Sequence, residues 1–129
     1  MLPEAGSSAD WLRIARSDLA LARIPAQGGI LRETLCFHAQ QAVEKSLKAV
    51  PVELGVAFPR THSIERLIDL LPEKILRTRF LKESAKLTIY ATAFRYPGDE
   101  EALLEAEYQD ALQLAEDVVR WAEIQVSQK

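Results

Sequence analysis

Residues 30–54, ILRETLCFHAQQAVEKSLKAVPVEL, decide the class of fold. At 100° per residue, Leu35, Ala39, Val43, Ser46, Leu47 and Val50 fall on one side, and Thr34, His38, Gln41, Lys45 and Lys48 on the other. The spacing predicts a long helix with one face in a core and the opposite face wet. Pro51 removes a backbone donor inside that pattern, so a kink or an early end close to Ala49 is expected.

Working outward, helical spacing recurs along the chain, and no stretch alternates with a period of two as a half-buried strand does. A first helix is expected from Ser8 or Asp10 to about Ile24, with Trp11, Ala15, Leu19 and Ala22 on one face before Pro25 and Gly28-Gly29 break it. Residues 55–63, GVAFPRTHS, read as a loop, after which Thr61 or Ser63 caps a short helix ending at Leu71-Pro72. A fourth helix over roughly 73–94 would bury Leu76, Phe80, Leu87, Ala91 and Phe94. The turn Arg95-Tyr96-Pro97-Gly98-Asp99 follows, and then a fifth helix from about Ala102 to Val126. The expected fold is all-α, an up-and-down bundle of four long helices plus a short one.

The fifth helix carries two apolar stripes. One is Leu104, Tyr108, Ala111, Leu112, Ala115, Val119 and Ala122; the other, rotated by about 100°, is Leu114, Val118 and Trp121. Either the bundle wraps this helix on two sides, or the second stripe is the seam of a homodimer.

With 129 residues, 48% hydrophobic and 27% charged, the chain suits a single domain with one core, spanning 1–129. The lone Cys36 and two histidines supply no disulfide or zinc framework, and no metal or cofactor is expected. No apolar run approaches the roughly 20 residues that span a bilayer, and MLPEAGSSADWLR lacks the build of a secretory leader, so a cytoplasmic protein with no membrane partner is expected. The net charge of −3 is polarised: residues 1–59 balance, 60–95 carry +4 and 96–129 carry −7. A locally basic segment can hold a phosphate-bearing partner, while its acidic neighbours disfavour general binding to long nucleic acid. Arg79, Lys82 and Lys86 form a basic stripe on the fourth helix, either a phosphate contact or a solvated face.

Phosphate-cradling glycine loops, serine triads and metal clusters are missing from the sequence, which removes most enzyme classes. The remaining chemistry is imidazole and guanidinium. His38 sits at the polar border of the second helix beside Lys45, where it can face a ligand or simply pack. His62, just before Ser63, reads as support for a helix entrance. Arg95 leaves a helix end at a rigid proline turn, and either enters a groove or pairs with Asp99, Glu100 or Glu101.

Five segments in order, DWLRIARSDLALA (10–22), FHAQQAVEKSLKAV (37–50), FPRTHSIERLIDLLP (58–72), LTIYATAFRYPGD (87–99) and ALQLAEDVVRWAEI (111–124), resemble the HEPN domain family (higher eukaryotes and prokaryotes nucleotide-binding). The resemblance implies a helical bundle, commonly dimeric. Some relatives are ribonuclease toxins paired with a minimal nucleotidyltransferase antitoxin; others bind nucleotides or proteins without cleavage. The nuclease branch has Arg followed four to six residues later by His in the later helices. Here YPGDE follows Arg95, so that motif is absent; Arg32 and His38 have the spacing but lie in the second helix about 120° apart. The resemblance therefore implies a nucleotide- or RNA-binding component of a toxin–antitoxin-like pair. Its groove would be formed by His38, Gln41, Lys45, Arg95 and Tyr96, with Tyr96 a candidate acceptor of a nucleotidyl group. The competing reading is a metal-independent endoribonuclease using His38 as base and Arg95 or Arg32 as phosphate clamp.

Overall fold

In the computed structural model, residues 1–91 and 103–127 are described. The elements are α1 (Ser8–Ala22), α2 (Arg32–Glu53), α3 (Ile64–Asp69), α4 (Arg79–Glu83), a 3-10 helix (Ser84–Tyr90) and α5 (Glu105–Ser127), with no strand among the described residues. The all-helical class follows the sequence pattern, and the expected fourth helix appears within the described residues as α4 running directly into the 3-10 helix, 79–90 in place of a start near 73.

α1 starts where Ser7 accepts a hydrogen bond from the Asp10 amide, with the Asp10 carboxylate in the first turn. Leu12, Ala15, Leu19 and Ala22 are buried at alternating spacings of three and four, turning one stripe onto α2. α2 is the central element. It packs against α1, α5, α3 and the 3-10 helix, so both of its sides are enclosed and the simple division into dry and wet faces fails. Lys48, expected in solvent, is buried, as are Gln40 and Glu44.

Nor does α2 stop early at Pro51. The proline cannot donate to the Leu47 carbonyl, yet the helix continues to Glu53. Its end is a Schellman arrangement: Gly55 donates to the Val52 carbonyl at 3.2 Å and Val56 to the Pro51 carbonyl at 2.8 Å. Gly55 takes a φ of +70°, a conformation that costs a residue with a Cβ about 1 kcal/mol.

α3 begins as the sequence anticipates, with the Ser63 hydroxyl accepting from the Arg66 amide and Thr61 accepting from the Ser63 amide. Beyond it, one side chain prevents residues 73–78 from joining a long helix. The Arg77 guanidinium donates to the carbonyls of Ile68, Leu71, Pro72 and Ile75 at 2.5–3.1 Å, holding the connection as an irregular turn. Leu76, expected in the core, is consequently 78% exposed, and helix resumes only at Thr78, which caps α4. Phe94, the last of the expected core positions there, lies outside the described residues.

α5 runs antiparallel to α1, joined to it by Arg16–Glu123 at 2.7 Å and Arg23–Glu116 at 3.2 Å. The Tyr108 hydroxyl donates to the Ala22 carbonyl, capping α1 from across the bundle. Of the two alternatives for the second stripe, the structure adopts wrapping. Leu114, Val118 and Trp121 are 4%, 0% and 7% exposed within one chain, because α4 and the 3-10 helix pack on α5. Within one chain Leu114, Val118 and Trp121 are therefore core residues.

Candidate functional site

α1 and α2 run antiparallel, and their polar borders meet at Asp18. Its carboxylate lies 3.0 Å from His38 Nδ1 and 3.9 Å from Lys45 Nζ. All three side chains are half-buried, which fixes their directions while leaving them reachable from solvent. Asp18 as acceptor selects the tautomer with the proton on Nδ1, which leaves Nε2 an acceptor without a partner among the described residues. Phe37 presses edgewise on the imidazole, with ring centroids 5.4 Å apart.

From Lys45 the polar contacts continue along α2. Lys45 donates to Gln41 Oε1 at 2.5 Å, Gln41 to Gln40 Oε1 at 2.6 Å and Gln40 to Glu44 Oε1 at 3.0 Å. The Glu44 carboxylate also receives Lys48 at 2.8 Å and lies 3.0 Å from His62 Nδ1. Burial by itself would raise the Glu44 carboxyl, but hydrogen bonds from Lys48, Gln40 and His62 outweigh it and hold the group below its ordinary value. Lys48 completes this end of the chain by resting 5.6 Å from the Trp11 ring, which packs edgewise on Phe58.

The structure therefore brings together His38, Gln41 and Lys45, three of the residues named for a nucleotide groove. Arg95 and Tyr96 lie outside the described residues. Arg32 goes elsewhere: it donates to the Leu103 carbonyl at 2.7 Å and pairs with Glu105 at 3.0 Å, clamping the start of α2 to the start of α5. It cannot serve as a phosphate clamp for His38 in this arrangement. The basic stripe is largely spent as well, with Arg79 paired to Glu83 and Lys86 to Asp110.

Two participants escaped the sequence reading. Asp18 follows Trp11 by seven residues and so shares the apolar border of α1, and an acid in that place was the available signal. Glu44 falls between the two faces assigned to α2, and nothing in the sequence pairs it with His62. A recess of about 720 Å³ between Val52–Gly55, Lys74, Ile75 and Gln125 is not at this site. Fifteen residues of α2 separate Glu53 from His38, roughly 22 Å along the helix. Among the described residues no group of three His, Cys, Asp or Glu side chains is gathered as for a metal ion, and no helix is long and apolar enough to cross a membrane.

Comparison with known proteins bears on the whole bundle. Among curated proteins no significant match is found. Two crystal structures are similar over 93% of this chain and 98% of theirs. TT1696 from Thermus thermophilus is 32% identical with a TM-score of 0.78, and ST0689, an archaeal HEPN homologue, is 25% identical with a TM-score of 0.72. The family model of the HEPN domain matches residues 8–125, from the first turn of α1 to the last turn of α5. With the match running through every helix described above, the chain belongs to the HEPN domain family.

Proposed function

We propose that this HEPN-domain chain binds the phosphate of a nucleotide or RNA at the α1–α2 border, as the non-cleaving component of a toxin–antitoxin-like pair with a minimal nucleotidyltransferase. The observation that carries the reading is the grouping of His38, Gln41 and Lys45 about Asp18. Lys45 brings an ammonium whose contact with Asp18 is long at 3.9 Å, so it can turn to an incoming anion. His38, steadied at Nδ1, offers Nε2 to the ligand, as an acceptor when neutral and as a donor when protonated. Gln41 adds a neutral amide alongside. Arg95 and Tyr96 complete the proposed set from the chain segment that follows the 3-10 helix.

Calorimetry with ATP and AMP tests this. Lys45→Ala and Arg95→Ala should each weaken binding about tenfold, the scale of a charge-assisted hydrogen bond, with circular dichroism unchanged. Equal affinity in both variants removes the groove. Copurification with a nucleotidyltransferase encoded beside the gene tests the partner. A cytoplasmic location and a homodimer belong to the same reading, with Leu114, Val118 and Trp121 enclosed within each chain.

The alternative, a metal-independent endoribonuclease, is favoured by one feature, the Asp18–His38 contact, because an oriented imidazole is what a general base for a ribose hydroxyl requires. The diversion of Arg32 to Leu103 and Glu105 leaves that base without its described guanidinium. RNA cleavage that persists in EDTA and disappears in His38→Ala would favour this alternative over the binding module.

A further inference from the structure

His62 is anchored in an unusual way for a surface residue. Its side chain is 76% exposed, yet Nδ1 lies 3.0 Å from Glu44, whose own side chain is 2% exposed. Lys48 and Gln40 fix that carboxylate from the other side, so the imidazole is aimed outward from a buried support. Its Nε2 has no partner among the described residues.

The residues bracketing it also stand apart. Elsewhere arginines are committed: Arg16 to Glu123, Arg23 to Glu116, Arg32 to Glu105, and Arg77 to four carbonyls. Arg60 and Arg66 are exposed and form no ion pair among the described residues. Arg120 shares that condition but is isolated on α5, beside Asp117. Within residues 60–66 the one acidic side chain is Glu65, so the segment is net positive before the imidazole is counted.

We propose that Arg60, His62 and Arg66 form a second anion site, distinct from the His38 site, that takes a phosphate monoester or diester. Two guanidiniums supply planar donor forks matched to phosphate oxygens, and the ring, held at Nδ1 by Glu44, donates from Nε2 when protonated. The site is on the other side of the Gln40–Gln41 amide chain from Lys45, so it neither needs nor excludes binding there.

The test is a two-dimensional amide and imidazole NMR titration of the full chain with 5′-AMP in one arm and a hexauridylate RNA in the other. Shifts at residues 60–66 are expected in at least one arm, and the arm with the tighter response identifies a mononucleotide or a chain as the source of the phosphate. The double variant Arg60→Ala/Arg66→Ala, both surface changes, should weaken that response at least about tenfold, whereas Lys45→Ala should leave it in place. His62→Ala should weaken it in the same sense. Silence at 60–66 in both arms, an undiminished response in the double variant, or its loss in Lys45→Ala would each overturn the second site. The last outcome leaves the His38 site standing.

Discussion

Asp18 on α1 and His38 on α2 meet at 3.0 Å through Nδ1, so the direction of the imidazole is set by a residue on a different helix. Replacing Asp18 by Asn should disturb the ligand site more than the fold. The pair is partly covered and modest in energy, so a loss of about 1 kcal/mol in unfolding free energy is expected. Nitrogen-15 spectra should show His38 moving from a single Nδ1–H tautomer to a mixture, with nucleotide affinity falling several-fold.

Glu44 links acid sensitivity to α2. Its folded-state pKa is lowered from the ordinary 4.5, so its contribution to stability is fully present above that value and is lost as the pH falls through the folded value. Denaturant midpoints measured from pH 6 to pH 3 should drop below about pH 4.5. In Glu44→Gln that fall should be shallower. The variant should also be weaker by about 3 kcal/mol at pH 7, because Lys48 keeps a buried charge without its partner.

Cys36 should be chemically silent in the folded protein. It is fully buried, and burial, helped by Glu33 and Glu107, pushes its thiol up to about 12. Thiolate is therefore scarce at neutral pH. Alkylation by iodoacetamide at pH 8 should proceed only at the rate of unfolding, and become immediate in 6 M guanidinium.

Trp121 distinguishes a core residue from a seam residue. Truncation to Ala should cost about 3 kcal/mol or more of unfolding free energy, and sedimentation should report the same assembly state for the variant and the parent. A variant that keeps its stability but dissociates would restore Trp121 to an interface.

Arg77→Ala should destabilise by about 2 kcal/mol, since four carbonyls lose its hydrogen bonds at once and only those of Ile68 and Pro72 keep a backbone amide, from Leu71 and Ile75. Arg77→Lys should recover only part of this, because an ammonium cannot span all four.

Much of the bundle was legible because its cues are local. The stripe Ala15, Leu19, Ala22 and the caps near Ser8 and at Ser63 are read from residues a few positions apart, and α1, α3 and α5 fall close to their expected limits. The fourth helix misled because Arg77 acts on carbonyls up to nine residues away, a long reach that apolar spacing does not record. α2 misled for a related reason. Its wet face was inferred as though one neighbour covered it, whereas α1, α3, α5 and the 3-10 helix surround it and turn Lys48 and Glu44 inward. At the candidate site, His38, Gln41 and Lys45 were legible from helical register. Asp18 and the Glu44–His62 contact were not, since each joins residues on separate elements.

The enclosure of α2 also governs which changes of length this chain tolerates. Deleting one residue between His38 and Lys48 would swing everything beyond it through about 100°, presenting amides to hydrocarbon and hydrocarbon to carboxylates simultaneously. An added or deleted residue within α2 should therefore unfold the chain, whereas the connection between α2 and α3, outside that enclosure, can absorb one.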